Sequence, residues 1–178
     1  MALSDKIPVF STYGVFAAHR ACDQIRISLC YNNLHVVIGG AHAGVSVGPD
    51  GATHQALEDI ATMRVLPRMT VVSPCDATQT KLAVEKAILE CDGPVYIRFG
   101  REPMPDFTSE NQEFVIGKAQ IMKEGSDVCI IATGHEVWES LRAAKLLESE
   151  NKSVMVVNMH TIKPLDEGLL LCLAERFD

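Results

Sequence analysis

Two histidines and an aspartate share one short, glycine-rich stretch: Gly40-Ala41-His42-Ala43-Gly44-Val45-Ser46-Val47-Gly48-Pro49-Asp50-Gly51-Ala52-Thr53-His54-Gln55. Imidazoles move protons near neutral pH or hydrogen-bond polar hydroxyls. The stretch follows a continuous apolar run, Leu34-His35-Val36-Val37-Ile38, and precedes a helical pattern. In open α/β sheets, ligands bind where such loops leave the carboxyl ends of strands. Composition alone also fits a glycine-rich turn whose histidines are satisfied by backbone. The six cysteines, Cys22, Cys30, Cys75, Cys91, Cys129 and Cys172, form no C-x-x-C pair and no zinc-like spacing with histidine. They read as small hydrophobes in a reducing cytosol, so a cytoplasmic location is expected.

The elements around the loop follow from periodicity. Ile7-Pro8-Val9-Phe10 reads as a strand, and Val15 to Leu29 has apolar residues at helical spacing. The run Leu34 to Ile38 is a buried strand ended by Gly39-Gly40, and residues 39–54 read as loop. A short helix is expected over His54 to Arg64 and a strand over Met69 to Val72. Asp76 caps a helix reaching Glu90, and Val95-Tyr96-Ile97-Arg98 is the next strand. Buried strands alternating with crossover helices predict an α/β fold with a doubly wound, mainly parallel sheet.

Pro103, Pro105 and the polar run Thr108 to Glu113 break the pattern. The expected organisation is a first domain over 1–108, a linker at 109–114 and a second unit over 115–178. The second unit holds strands at Val128 to Ala132 and Val154 to Val157, with helices at Glu136 to Glu150 and from Asp166. So few strands bury too little to stand alone. The unit either leans on the first or is cut short.

The chain has 178 residues, 47% of them hydrophobic, and a net charge of −7. That size suits one or two small domains with a real core. The acidic surface repels nucleic acid, and no basic stripe offsets it. No apolar run of about 18 residues implies a membrane span.

The loop resembles the G-x-H-x-G-x-x-x-G-x-D-G-x-T-H-Q signature of the transketolase family. The likeness continues through Ala56-Leu57-Glu58-Asp59-Ile60-Ala61, Arg64-x-x-Pro67 and Val71-x-x-Pro74-x-Asp76. It extends upstream over Lys6 to Phe16 and downstream over Gly93 to Arg101 and Ala132-Thr133-Gly134-x-Glu136-Val137. The resemblance implies the thiamine-diphosphate-binding pyrimidine domain, followed by the front of a C-terminal α/β domain. Tyr13 and Phe16 match aromatics that pack round the cofactor's aminopyrimidine, and aromatic faces suit a flat ring. His19 falls where some members carry a further aromatic. His42, Asp50 and His54 match residues lining a sugar-phosphate channel, with His42 and His54 in catalytic roles. Arg101 matches a phosphate-binding arginine, whose fork fits that anion. Arg98 is either a second anion contact or a structural ion pair. Thr53 and Gln55 support the loop.

The family's activating glutamate, upstream of the aromatic segment, has no match, nor does the G-D-G…N site for the cofactor diphosphate and Mg2+. Pro49 stands where many members carry glutamate. The parent reaction is two-carbon ketol transfer between sugar phosphates. The isolated chain is expected to be inactive, with Mg2+ held by a separate domain or subunit. A homo-oligomer or an N-terminal transketolase subunit is the expected partner. A 1-deoxyxylulose-5-phosphate synthase fragment and a non-catalytic assembly subunit stay open. So do a deliberately shortened piece, a wrong gene boundary and a natural fragment.

Overall fold

The computed structural model describes residues 1–177. Its parallel strands are β1 (Val9–Tyr13), β2 (Val37–Ala41), β3 (Thr70–Val72) and β4 (Val95–Arg98). They lie in the order β1-β2-β4-β3. The helices are α1 (Cys22–Gln24), α2 (Asp59–Val65), α3 (Ala77–Glu90), α4 (Glu136–Glu148) and α5 (Glu167–Arg176). The expected α/β architecture with a mainly parallel sheet is present.

Strand alternation sends every second residue to the same face. Ile38, Tyr96 and Val71 are aligned neighbours on β2, β4 and β3. They pack with Ala17, Ala18, Ile25, Met63 and Met69 on one face. Val37, Val95, Ile97 and Val72 pack with Ala83 and Ala87 of α3 on the other. Both faces are therefore covered, which is why these strands read as continuous apolar runs. Burying each large aliphatic side chain contributes roughly 1.5–3 kcal/mol.

Several boundaries differ from the expectation. β1 starts at Val9 rather than Ile7 and runs to Tyr13. β2 starts at Val37 rather than Leu34 and continues through Gly39-Gly40 instead of stopping there. Gly40 is inside the strand for reasons of space: a Cβ there would lie 2.1 Å from the Tyr96 hydroxyl. The Val15–Leu29 pattern is helical but unevenly wound, with π-type turns over Phe16–Arg20 and Ile25–Cys30 on either side of α1. The helix expected from His54 starts at Asp59 instead. Residues before it are engaged elsewhere: Gly44 N–H donates to Ala56 O (2.9 Å), and Gln55 Nε2 donates to Val45 O (3.2 Å).

The second unit holds β5 (Gln120–Lys123), β6 (Val128–Ala132) and β7 (Val154–Asn158), ordered β5-β7-β6. α4 packs on one face through Ala144, and α5 on the other through Leu173. The chain then returns to the first sheet, where β8 (Thr161–Lys163) pairs antiparallel with β3. The second unit thus leans on the first, sharing a strand with it. Buried polar groups also cross the junction: Gln79 Oε1 accepts from Cys75 N (3.0 Å) and Asn158 Nδ2 (3.0 Å), and Gln79 Nε2 donates to Gln120 Oε1 (2.8 Å).

The segment from 101 to 114 is firmly attached. Asp76 caps α3 through Gln79 N (2.8 Å) and also accepts from Phe107 N (2.9 Å), Thr108 N (2.7 Å) and Thr108 Oγ1 (2.8 Å). Phe114 is buried and stacks on His160 with ring centroids 4.2 Å apart. Cys30 and Cys75 are buried, and burial pushes the Cys75 thiol up to about 12. Cys22, Cys91 and Cys129 are half-buried, and Cys172 is exposed on α5.

Candidate active site at the carboxyl edge of the sheet

Parallel pairing places the carboxyl ends of β1, β2 and β4 on one edge. Tyr13 closes β1, Ala41 closes β2 and Arg98 closes β4. His42, the first residue after β2, has φ +59°, in the left-handed region uncommon for residues other than glycine. Such backbone strain concentrates at binding and catalytic loops. Further contacts fix the loop from below: Ala43 N–H donates to Phe99 O (3.2 Å), and Phe99 N–H to Gly40 O (3.0 Å).

The structure brings four of the expected rings together. The Tyr13 ring lies 4.2 Å from His42, 5.1 Å from His54 and 5.4 Å from Phe16, centroid to centroid. Phe16 and His54 meet edge to face at 5.4 Å. Thr53 Oγ1 lies 2.9 Å from His54 Nδ1 and orients that ring. His42 Nδ1 is buried without a hydrogen-bond partner among the described residues. A buried polar atom left unpaired in this way calls for a ligand or water.

A chain of charges leads away from the rings. His42 Nε2 lies 3.5 Å from Asp50 Oδ2, and Arg101 Nε lies 3.3 Å from the same oxygen. Arg101 also reaches Glu102 Oε1 at 2.8 Å. His42, Asp50 and Arg101 are each partly open to solvent, so the row is accessible from the edge. An imidazole, a carboxylate and a guanidinium in sequence suit a ligand with hydroxyls at one end and an anion at the other.

His19 is not drawn into the ring cluster. Its Nε2 faces Glu58 Oε2 at 3.3 Å on the surface, and Arg20 lies over the Phe16 ring at 4.3 Å. Arg98 makes an ion pair: its Nε donates to Asp59 Oδ2 (2.9 Å), which also accepts from the Tyr96 hydroxyl (2.9 Å). Burial and the Asp59 charge push the Tyr96 phenol far up, so it stays a donor.

The sequence assigns no site role to Asp59, which lies in the family-like stretch, to Tyr96, which lies on a strand, or to His135. Asp59 and Tyr96 are distant from each other along the chain and have no shared spacing that would signal a pair. His135, from the start of α4, lies beside Gly100 and Arg98; burial and the Arg98 charge hold its imidazole below the ordinary histidine range. A cleft of about 360 Å³ opens between it, Arg98, Ser46 and Thr133.

The pyrimidine half of a cofactor fits the ring cluster and the orphaned His42 nitrogen. Among the described residues no group of three or more His, Cys, Asp or Glu is placed to hold a metal ion. No helix among them is long and apolar enough to cross a membrane.

The parallel α/β domain carries a cluster of four rings and a row of ionisable side chains at its carboxyl edge. Residues 1–107 match the transketolase pyrimidine binding domain, and residues 117–177 match the transketolase C-terminal domain. The chain belongs to the transketolase family. A 6-deoxy-6-sulfo-D-fructose transketolase subunit of Clostridium sp. (strain MSTE9) is 43% identical over 96% of this chain and 53% of its own length. A 1-deoxy-D-xylulose-5-phosphate synthase of Crocosphaera subtropica is 36% identical over 95% of this chain and 27% of its own. A solved split-gene transketolase, an inactive β4 tetramer, is 46% identical with a TM-score of 0.90, covering 99% of this chain and 56% of that one. The chain spans about half the length of the subunits it matches.

Proposed function

We propose that this chain supplies the pyrimidine-side half of a transketolase-type active site that moves a two-carbon ketol unit between sugar phosphates. The observation that carries the reading is the row His42–Asp50–Arg101 running out from the ring cluster of Tyr13, Phe16 and His54. In the transfer, the bond between C2 and C3 of a ketose phosphate breaks and a shortened aldose phosphate leaves. The two-carbon unit then bonds to the aldehyde carbon of an acceptor. The proton lost from the donor C3 hydroxyl is matched by the one gained by the acceptor oxygen, so no oxidant is needed.

Thiamine diphosphate, when bound, supplies the electron sink for the two-carbon unit. Tyr13 and Phe16 hold its pyrimidine, with His19 on the same helical stretch as Phe16, facing Glu58. His42 and His54 hold and move protons at the sugar hydroxyls. Asp50 orients His42 and the polyol, and Arg101 binds the phosphate. The diphosphate and its Mg2+ belong to a separate domain or subunit, in a cytoplasmic oligomer with that partner or with further copies of this chain.

The 178 residues alone are expected to show no ketol transfer and to bind thiamine diphosphate more weakly than about 1 mM, some 4 kcal/mol. Calorimetry with the cofactor and magnesium, beside a coupled sugar-phosphate assay, measures both. Turnover by the 178 residues alone would overturn the division of the site. A second reading, a 1-deoxyxylulose-5-phosphate synthase branch, has the Crocosphaera relative in its favour. The spacing Gly51 to Asp59 and the placement of His42 favour ketol transfer. Supplying the completed enzyme with pyruvate and a triose phosphate, against a ketose phosphate and an aldose phosphate, separates the two.

A further inference from the structure

Arg101 is the residue through which the proposed site reads phosphate, and the turn carrying it is braced from the other unit. His135 is the last residue before α4. Its place is fixed on both sides. Gly134 N–H donates to Ser73 O (3.2 Å), tying the turn to the end of β3. His135 O accepts from Trp138 N–H (3.2 Å) as the helix begins.

The imidazole lies directly over Gly100. A Cβ added to Gly100 would sit 2.1 Å from His135 Cε1, 2.9 Å from Nε2 and 3.0 Å from Nδ1. Real Cβ atoms do not make contacts under about 3 Å with a ring, so any side chain at 100 displaces the imidazole. The Gly100 backbone is outside the left-handed region, so glycine is needed there for space and not for conformation. The ring also separates two clefts: the 360 Å³ one bearing Arg98, and one of about 420 Å³ bearing Glu102 and Met104.

Arg98 and Arg101, which flank Phe99-Gly100, are held by charge, and Gly100 by the ring. Arg98 is tied to buried Asp59 at 2.9 Å, and Arg101 to Asp50 at 3.3 Å and Glu102 at 2.8 Å. Phe99 is pinned to the end of β2 through its N–H and its carbonyl. Past Phe99 the turn has the imidazole packed on it where a side chain would be.

We propose that His135 is a positioning residue for phosphate recognition, its imidazole bracing Gly100 and so setting where the Arg101 guanidinium stands. The inference rests on the reading of Arg101 as the phosphate ligand. Burial and the neighbouring Arg98 charge favour the neutral ring, which suits a packing role. The second unit thereby takes part in substrate choice without touching the substrate.

The test is a double-mutant cycle in the completed enzyme: the full-length chain with the subunit or domain that finishes the site. His135→Ala is expected to raise KM for an aldose phosphate about tenfold, with kcat and the KM of the matching unphosphorylated aldose little changed. Gly100→Ala is expected to do the same, and the pair to recover because the added methyl occupies the emptied space. His135→Asn serves if the alanine variant does not fold, with the same split expected. Equal losses on both aldoses, or additive losses in the pair, would overturn the proposal. Titration of the full-length chain with inorganic phosphate, followed by NMR at the Arg101 Nε–H, reads the same effect without turnover. Wild-type phosphate binding that falls about tenfold in His135→Ala supports the brace even if no ketol transfer is found. Unchanged phosphate binding in the variant rejects the brace whatever the activity.

Discussion

Asp50 Oδ2 stands 3.5 Å from His42 Nε2, so the carboxylate is a hinge between the ring cluster and Arg101 on its other side. In the proposed function the two ends of that row meet different parts of a sugar phosphate, so substitutions at them are expected to separate kinetically. Arg101→Ala should raise KM for phosphorylated substrates by roughly 2–3 kcal/mol, the loss of a charge-assisted pair. His42→Ala and His54→Ala should chiefly lower kcat. Steady-state kinetics of the completed enzyme decides, and the same kinetic signature in all three variants would rule out the assignment.

Asp76 is the mechanical anchor of the segment that follows Arg101. Its carboxylate accepts four hydrogen bonds and is buried. Asp76→Ala should destabilise the fold by about 3 kcal/mol, combining a lost helix cap with unpaired amides. Denaturant unfolding measures this, and a change under about 0.5 kcal/mol would show that the segment holds without it.

His160 is fully buried against Phe114, and burial lowers its pKa to about 4. The unfolded chain, with an ordinary histidine value, binds more protons between those two limits, so stability rises with pH there. The full contribution is present above about pH 6.5 and is lost as pH falls toward 4, amounting to about 3 kcal/mol. His160→Gln should flatten that slope relative to wild type. Parallel pH profiles for the two proteins would contradict the burial argument.

The cysteines differ in reactivity by position. Cys172 is exposed, whereas Cys30 and Cys75 are buried, with the Cys75 thiol pushed up to about 12. An aromatic disulfide reagent at pH 8 should label Cys172 first and reach Cys75 only on unfolding. Mass spectrometry of peptides after timed labelling reads the order, and early labelling of Cys75 would refute it.

Much of this candidate site is legible in the sequence because its members cluster there. His42, Asp50 and His54 lie within one loop, and the glycine pattern round them marks a tight path at a strand end. Tyr13 and Arg101 lie at or just beyond strand ends, so parallel pairing brings them there. Boundaries were less legible where long-range contacts override local preference. Gly40 resembles a strand terminator, yet the Tyr96 ring occupies the space a side chain would take. His54 resembles the start of a helix, yet Gln55 and Ala56 are engaged by Val45 and Gly44. The role of His135 depends on a contact with Gly100, and no local periodicity encodes a meeting between two units.

The return of β8 to pair with β3 has a consequence for how the protein is made. A ribosome releases β3 long before Lys163 emerges. During that interval the outer edge of β3 has no neighbour, and an unpaired strand edge is a template for another nascent chain. Closing it demands a contact between distant parts of the chain, which slows folding. β8 is therefore the guard of the β3 edge. Synthesis that stalls between Asn158 and Thr161 leaves the β3 edge still open.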